Sequence, residues 1–326
     1  MTDVPLPGAR SVKPLRPFRF GWHCNYADTP GQFVDRARRA EEFGYSTFTI
    51  GDHFRKQFAP LPALMAAAAA TTTLRVGPLV LGNDYKHPLV LAKELATMDQ
   101  FTGGRLQVGI GSGWMHEDYE WSGMPFDRAG TRVERLQESL TILKGLWGAE
   151  PFTFHGAHYD INAHDGTPKP VQKPRPPILI GAGGRRMLQL AAQEADIINI
   201  NVNLRTGVQN VAALMQDSDN ADVMSYQKKI GWIKEAAAGR FDDIELSVAC
   251  TCIVTDDRDK TVHATALSLG VPAEYVASSP IYLIGSHDEM AADLEQRRAE
   301  LGVSYVVFYD DVAASLAPLV SRLAGR

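Results

Sequence analysis

The chain has 326 residues, of which 45% are hydrophobic and 22% charged, and its formal net charge at pH 7 is −5. This length and composition are typical of a globular protein with a large core, and point toward an α/β barrel or two smaller domains. Surfaces that bind nucleic acid or anionic membranes need an excess of basic residues, which this chain lacks. We therefore expect a small-molecule partner, and neither nucleic acid nor a membrane.

The cysteine and histidine content indicates neither a disulfide framework nor a metal centre. Cys24, Cys250 and Cys252 are too few and too irregularly spaced for either, so the sequence predicts a protein of the reducing cytoplasm. His155, His158, His164 and Asp165 resemble metal ligands, but they lack a helical i, i+4 frame or companion cysteines. We predict no metal site there, and instead a hairpin, because aromatic residues alternate through the segment.

Short apolar or β-branched runs alternate with helical patterns along the chain, which predicts βα units around a parallel sheet. Gly44 and Gly302 each follow a predicted helix and directly precede a strand, as expected of helix C-termini. The elements fit a (β/α)8 TIM barrel in one domain, residues 17–326, after a flexible tail at residues 1–16. A doubly wound sheet is the alternative. The predicted strands lie near 18–22, 45–50, 74–81, 105–110, 177–181, 196–200, 244–251 and 303–309, and the helices near 31–43, 61–71, 88–101, 128–147, 185–194, 221–238 and 312–323.

Two segments interrupt the barrel pattern. Residues 148–176, rich in His, Pro and Gly, precede the fifth predicted strand, and residues 257–300 separate the seventh from the eighth. We predict that both are insertions. The second carries its own helical pattern and is expected to pack against the barrel.

The stretch from Ile178 to Leu188 runs from an apolar strand through a glycine cluster into a basic, amphipathic helix. Glycines let the backbone approach a ligand, and the free N–H groups of the first helical turn attract an anion. With Arg185 and Arg186 adding charge, the segment predicts a phosphate site and therefore a phosphorylated cofactor. A plain tight loop is the alternative, and the glycine spacing disfavours a dinucleotide fold.

Polar or aromatic residues follow the predicted strands, at the end of a barrel where active sites lie. His53 follows the second strand and is the candidate for proton transfer, because imidazole titrates near neutral pH. The alternative is a histidine that caps its loop through Asp52. His87 either contacts a cofactor or fixes the start of a helix. Glu117 and Asp118 either supply a carboxylate or solvate a helix N-terminus.

Several short motifs together make the chain resemble the luciferase-like monooxygenase superfamily, particularly its branch that uses the deazaflavin coenzyme F420. The resemblance extends over nearly the whole chain, and the motifs are specific as a set although each alone is weak. They are Gly51-Asp52-His53-Phe54, Lys86-His87-Pro88, Gly103-Gly104-Arg105-Leu106, Gly109-Ile110-Gly111-Ser112-Gly113-Trp114, Gly123-Met124-Pro125-Phe126, Pro176-Pro177-Ile178-Leu179-Ile180-Gly181, Gly183-Gly184, and Ala191-Ala192 with Ala195-Asp196.

The resemblance implies a TIM barrel with a flavin or deazaflavin lying across the C-terminal ends of its strands. It implies that residues 183–186 hold the phosphate, that His53 lies near the ring, and that a non-proline cis peptide occurs near residues 79–81. The implied cofactor-binding residues are Asp52, Leu79, Val80, Lys86, His87, Ser112, Gly113, Gly181, Gly183, Gly184, Arg185 and Arg186.

Two departures from the family pattern bear on the substrate. In relatives that oxidise a sugar phosphate, a carboxylate follows the glycines of the fourth strand, whereas Trp114 stands there in this chain. Sugar-phosphate oxidation is therefore not expected. Lys86 replaces the usual arginine before His-Pro, which keeps the charge but loses the bidentate fork. The expected substrate pocket is lined by Trp22, Asn83, Tyr85 and Trp114.

These features lead to three functional hypotheses. The first is an F420-dependent oxidoreductase that transfers a hydride between C5 of the deazaflavin and a small organic substrate, with His53 as the catalytic proton donor or acceptor. The second is an FMN-dependent monooxygenase that receives reduced flavin from a partner reductase and uses O2. The third is a flavin-binding protein without turnover. The resemblance also implies a homodimer.

Overall fold

Parallel strands surrounded by helices form a nearly closed barrel in the computed structural model, which describes residues 15–204 and 221–326. Most of the tail predicted at residues 1–16 lies outside the described residues. In chain order the strands are β1 Arg19–Cys24, β2 Thr47–Ile50, β3 Arg75–Pro78, β4 Leu81–Gly82, β5 Val108–Gly111, β6 Phe152–His155, β7 Asp160–His164, β8 Ile178–Ala182, β9 Ile197–Ile200, β10 Glu245–Val254, β11 Tyr282–Gly285 and β12 Val303–Tyr309.

Neighbouring barrel strands follow the order β3-β2-β1-β12-β10-β9-β8-β5-β4. β3 and β4 are successive parts of one barrel strand, separated by a cis peptide bond between Leu79 and Val80. β3 pairs in parallel with β2, β4 pairs in parallel with β5, and a bridge between Val76 and Leu106 joins the two sides. With β3 and β4 taken together, the described part of the chain has the eight barrel strands that the sequence predicts. The TIM barrel is confirmed, and the doubly wound alternative is not.

The helices begin and end at signals that are visible in the sequence. The Thr29 side chain accepts a hydrogen bond from the Gln32 N–H and caps α1 (Pro30–Glu42), and Ser286 and Glu289 form a capping box at the start of α10 (His287–Leu301). Gly302, with φ of 72°, ends α10 directly before β12, which confirms the predicted helix–glycine–strand turn. The helices are α1 Pro30–Glu42, α2 Pro60–Ala69, α3 Pro88–Phe101, α4 His116–Ser122, α5 Ala129–Trp147, α6 Arg185–Glu194, α7 Val223–Ala236, α8 Arg258–Leu269, α9 Ala273–Ser278, α10 His287–Leu301, α11 Asp310–Ala313 and α12 Ala317–Leu323.

Two apolar layers stabilise the barrel. Leu179, Ile197 and Tyr305 belong to a small cluster of buried side chains inside the strands. A larger cluster fills the space between the strands and the helices, where the rings of Phe20 and Phe308 stack at 5.6 Å. Because side chains fill the barrel interior, a ligand has to bind at one end of it.

The two insertions differ in structure. Residues 148–176 contain the predicted hairpin, an antiparallel pair of β6 and β7. Glu138 of α5 holds the hairpin loop by accepting hydrogen bonds from the backbone N–H groups of Ala157, His158 and Tyr159 at 2.8–3.1 Å. In the second insertion β11 pairs in parallel with β10, a strand that the helical pattern did not predict. No helix within residues 15–204 and 221–326 is long and apolar enough to cross a membrane.

Arg105, from the Gly-Gly-Arg motif, joins three elements at the N-terminal end of the barrel strands. Its guanidinium donates hydrogen bonds to the carbonyls of Ala68, Leu74 and Thr102 and to the Thr71 hydroxyl at 2.8–3.2 Å. These contacts tie the end of α2 to the start of β3 and to the end of α3. Residues at this end of a TIM barrel serve stability, because active sites lie at the opposite end.

We predict that Arg105→Met lowers the free energy of unfolding by roughly 2–4 kcal/mol, because buried acceptors lose a charged donor. Equilibrium unfolding in urea measures the loss. Arg38→Met is the matched control, since Arg38 pairs with Asp35 at an exposed position of α1, and it should change stability by no more than about 0.5 kcal/mol. Equal losses in both variants would contradict the assigned role of Arg105.

Candidate active site

The C-terminal ends of the barrel strands bring together His53, Tyr85 and Asp118 from three loops. His53 Nδ1 lies 2.7 Å from Asp118 Oδ2, and the Tyr85 hydroxyl donates a hydrogen bond to the same oxygen at 3.1 Å. The backbone N–H of Phe54 donates to Asp118 Oδ1 at 3.0 Å. The Asp118 side chain is completely buried, so its carboxylate depends on these donors.

This arrangement fixes the tautomer of His53. A carboxylate accepts hydrogen bonds and cannot donate them, so His53 presents Nδ1–H to Asp118 and carries its lone pair on Nε2. Burial lowers the pKa of His53 below its usual value and outweighs the opposing effect of Asp118. His53 is therefore a neutral imidazole at pH 7, with Nε2 as its basic atom.

Two of the expected pocket residues lie beside this histidine. The ring of Trp114 packs edge-on against His53, with 5.6 Å between centroids. Tyr85 lies 4.9 Å from the ring of Phe54 while its hydroxyl holds Asp118. Trp114 thus forms a wall next to the imidazole, and Tyr85 orients the carboxylate that orients His53.

Asp52 ties the loop after β2 to the third barrel strand. Its carboxylate accepts a hydrogen bond from the Gly82 N–H at 3.1 Å. Burial raises the pKa of Asp52 to about 6, against the opposing effects of that hydrogen bond and of Lys86. The loop that ends in His53 is thereby held against β4.

Lys86 and His87 make local contacts at the start of α3. The Lys86 ammonium donates to Glu94 at 2.6 Å, and the His87 ring accepts a hydrogen bond from the Leu89 N–H at 3.3 Å. His87 is therefore the N-cap of α3, which is the helix-start role considered for it from the sequence.

Asn83 lies beneath the hairpin of the first insertion. It is 1% exposed, and its Nδ2 donates to the hydroxyl of Tyr159 at 3.4 Å, while the Tyr159 ring packs edge-on against His87. Asn83 Oδ1 has no hydrogen-bond partner among the described residues. This buried oxygen is a polar group at the strand end, but Asn83 forms no open wall.

The third barrel strand places an apolar side chain at the mouth of the barrel. Leu79 and Val80 flank the cis peptide bond, which lies where the resemblance implies it. A Cβ added to Gly111 would lie 2.9 Å from Val80 Cγ2, and one added to Gly181 would lie 3.5 Å from Val80 Cγ1. Val80 thus packs over two glycines, one on β5 and one on β8, at the C-terminal ends of these strands.

Ser112 and Gly113 follow β5 and lead to Trp114. Gly113 has φ of 77°, and a Cβ there would overlap the hydroxyl of Tyr119. Tyr119 in turn donates to Asp84 at 3.0 Å. Glycine is required at this position because it lets α4, which carries Asp118, approach the end of β5.

The turn from β8 into α6, where the sequence predicts a phosphate site, contains two glycines whose surroundings differ. A Cβ on Gly183 would overlap the carbonyl oxygen of Val202, so the protein's own packing requires glycine there. A Cβ on Gly184 would lie 3.5 Å from Asn203, in ordinary contact. Gly184 is the N-cap of α6, and no side chain in the described ranges caps the helix. No described side chain therefore satisfies the N–H groups of its first turn.

Arg185 and Arg186 pair with glutamates of neighbouring helices. The distance from Arg186 Nη2 to Glu134 Oε1 is 2.8 Å, and that from Arg185 Nη2 to Glu235 Oε2 is 3.6 Å. Both arginine side chains are more than half exposed. Ion pairs this exposed are weak, so they do not prevent the arginines from facing an anion.

Trp22 faces away from the mouth, which corrects its assignment as a pocket wall. Its side chain is 2% exposed and packs edge-on against Tyr45, and its Nε1 donates to Asp310 at 2.6 Å. Successive side chains of a strand point to opposite faces, so His23 is the inward-facing neighbour. The sequence shows that side chains along β1 alternate between the two faces of the sheet. It does not show which of Trp22 and His23 faces inward.

Two further residues become prominent in the structure. Asp118 is among the carboxylates considered from the sequence, but only its burial against His53 distinguishes it from Glu117. His23 follows the first strand in the sequence without a motif of its own. Within the described residues, no group of three or more His, Cys, Asp or Glu side chains is arranged to hold a metal ion.

Comparisons with known proteins agree with this architecture. A sequence model of the family described as luciferase-like monooxygenase matches residues 15–305. An FMNH(2)-dependent dimethylsulfone monooxygenase from Pseudomonas putida is 33% identical over 190 residues, which are 58% of this chain and 52% of that protein. An F420-dependent glucose-6-phosphate dehydrogenase from Microbacterium testaceum (strain StLB037) is 32% identical over 189 residues, 55% of each chain. The chain thus spans about half the length of these curated relatives.

A solved structure shows the same fold. The coenzyme F420 dependent tetrahydromethanopterin reductase from Methanopyrus kandleri superposes with a TM-score of 0.74 at 19% identity, covering 94% of this chain and 98% of that one. The family model, which matches most of the chain, confirms the family that the motifs indicate. The chain belongs to the luciferase-like monooxygenase family of enzymes.

Proposed function

We propose that this protein is an F420-dependent oxidoreductase that transfers a hydride between C5 of the deazaflavin and a small organic substrate. The observation that carries the proposal is the contact of 2.7 Å between His53 Nδ1 and the buried carboxylate of Asp118. Interconversion of an alcohol and a carbonyl compound moves one hydride and one proton. His53 Nε2 can take or supply that proton at neutral pH.

The residues at the barrel mouth fit a flat cofactor with an anionic tail. The first turn of α6 offers backbone N–H groups without a capping side chain among the described residues, next to Gly184, where an added Cβ would meet Asn203 only in ordinary contact at 3.5 Å. Val80 offers an apolar surface between Gly111 and Gly181. We assign the phosphate to the start of α6, with Arg185 and Arg186 as its counter-ions, and the ring to the apolar surface of Val80.

In the proposed reaction each residue of the site has a separate chemical role. When bound, F420 supplies at C5 a carbon that accepts or donates a hydride. In the oxidation of an alcohol, the C–H bond breaks with its electron pair leaving as hydride, the O–H proton passes to His53 Nε2, and a C=O bond forms. Asp118 stabilises the imidazolium so produced, and Trp114 limits the access of water beside it.

An FMN-dependent monooxygenase is the second candidate function. It is favoured by the 33% identity to a relative that is described as FMNH(2)-dependent. In that case the same α6 turn would hold the FMN phosphate, and a partner reductase would supply reduced flavin. The two candidates differ in cofactor, so a binding measurement separates them.

Titration of the purified protein with oxidised F420 and, separately, with FMN at fixed salt tests the proposal by fluorescence quenching. We expect F420 to bind at least about tenfold more tightly than FMN, a difference of about 1.4 kcal/mol. A preference for FMN would refute the F420 assignment and favour the monooxygenase.

Gly184→Val should weaken F420 binding by at least about tenfold, whereas Gly231→Val, at an open position of α7, should leave it unchanged.

The pH dependence of turnover tests the role of His53. Because burial lowers its pKa below 6.5, kcat/KM for alcohol oxidation should be constant above that pH and fall as pH decreases through the pKa of His53. The rate of F420 reduction with a panel of small alcohols measures this limb. Asp52, with a pKa of about 6, is the competing explanation. The limb should persist in Asp52→Asn and vanish in His53→Gln, and the reverse result would contradict the assignment.

A further inference from the structure

A second imidazole, that of His23, lies inside the barrel at the same end as His53. Its inward direction follows from its neighbours in β1, because a Cβ added to Gly21 would lie 3.0 Å from the hydroxyl of Tyr305 in the interior cluster. His23 is 6% exposed. The strand register places it between Thr49 of β2 and Tyr309 of β12. His23 is therefore a nearly buried polar group at the strand end where the site lies.

Of the two ring nitrogens of His23, only Nδ1 has a hydrogen-bond partner among the described residues. His23 Nδ1 lies 3.0 Å from the hydroxyl oxygen of Thr49, and its ring packs edge-on against Tyr309 at 5.5 Å. Nε2 has no hydrogen-bond partner among the described residues. The Trp22 carbonyl is a second acceptor for the single proton of the Thr49 hydroxyl, but at 3.5 Å it lies at the limit of hydrogen-bond distance. The shorter contact favours donation from Thr49 to Nδ1, which places the ring proton on Nε2.

His23 is also uncharged under ordinary conditions. Burial lowers its pKa to about 4, and the positive charge of Arg55 acts in the same direction. β1 and β2 are paired strands with His23 opposite Thr49, and His53 follows Thr49 by four positions, so the two imidazoles lie at the C-terminal ends of neighbouring strands. They have complementary hydrogen-bonding roles, since His53 presents a lone pair on Nε2 and His23 presents an N–H.

We propose that His23 binds the substrate, its Nε2–H donating a hydrogen bond to the oxygen whose proton His53 exchanges. The inference rests on the proposed alcohol and carbonyl chemistry and adds to it a second residue in contact with the reacting group. An oxygen keeps lone pairs in both its hydroxyl and its carbonyl forms, so a neutral donor binds both. Donation to the oxygen also stabilises negative charge that develops there during hydride transfer.

Two substitutions separate this role from a merely structural one. His23→Asn places an amide near the position of Nδ1, where it can still contact Thr49 but does not extend to Nε2. His23→Gln places an amide nitrogen near the position of Nε2. We expect His23→Asn to lower kcat/KM for the best alcohol of the panel by at least about tenfold, as for one lost hydrogen bond. His23→Gln should retain activity within about threefold, and both variants should bind F420 as the wild type does.

A measurement on the protein without ligand tests the donor assignment independently of turnover. NMR of protein with 15N-labelled histidine reports which ring nitrogen of each histidine carries the proton, and His23→Gln assigns the His23 signals. We expect His23 to be the Nε2–H tautomer at pH 7, with that preference lost in Thr49→Val. A proton on Nδ1 in the wild type would overturn the inference.

The outcomes also separate this inference from the proposed function. Turnover by the wild type with an unchanged rate in His23→Asn refutes the role of His23 and leaves the proposed function standing. Weaker F420 binding in His23→Asn also refutes the inference, because it assigns His23 to the cofactor. If the wild type reduces F420 with no alcohol, the proposed chemistry fails and the substrate role of His23 fails with it.

Discussion

The complete burial of the Asp118 carboxylate is the constraint on which the geometry of the site depends. A buried carboxylate without hydrogen-bond donors is unstable by several kcal/mol, so the loops around it have to supply them. They do so through the imidazole of His53, the hydroxyl of Tyr85 and the backbone N–H of Phe54. Satisfying one carboxylate thus brings together loops from three barrel strands and decides which nitrogen of His53 is basic.

Glycines at the mouth allow these segments of the protein to pack closely, more than they provide contact with a ligand. Gly113 makes room for Tyr119, which lets α4 bring Asp118 to the end of β5. Gly183 makes room for the backbone carbonyl of Val202. Of Gly183 and Gly184 in the predicted phosphate turn, only Gly184 could carry a Cβ without overlapping the protein's own backbone. A glycine-rich motif therefore predicts a phosphate turn but does not distinguish glycines required by packing from those available to a ligand.

The fold was predictable because each barrel strand carries its own apolar run, and because glycines such as Gly302 mark helix ends locally. The strand β11 was missed, since it lies in an insertion where a helical pattern dominates and its pairing with β10 is not a local property. The location of His53 at the C-terminal ends of the strands was predictable because it directly follows an apolar run. Asp118 was not, because its contact with His53 spans 65 positions in sequence and depends on the orientation of α4.

Side-chain direction marks a further limit of sequence analysis. Trp22 and His23 are adjacent at the end of β1, and both have the chemistry of a binding residue. Hydrogen bonding to Asp310 and packing against Tyr45 place Trp22 in the outer layer, and His23 consequently faces the interior. Both partners of Trp22 are distant in sequence, so the choice between the two residues required the tertiary structure.

The protonation state of His53 tests the central claim most directly. NMR of the 15N-histidine protein at pH 7, with the signals assigned by His53→Gln, reports the tautomer without substrate or cofactor. The account predicts a neutral imidazole with its proton on Nδ1, and a shift of that proton to Nε2 in Asp118→Asn, where an amide N–H replaces the accepting oxygen. A wild-type His53 protonated on Nε2 alone, or charged at pH 7, would contradict the assignment of His53 as the base.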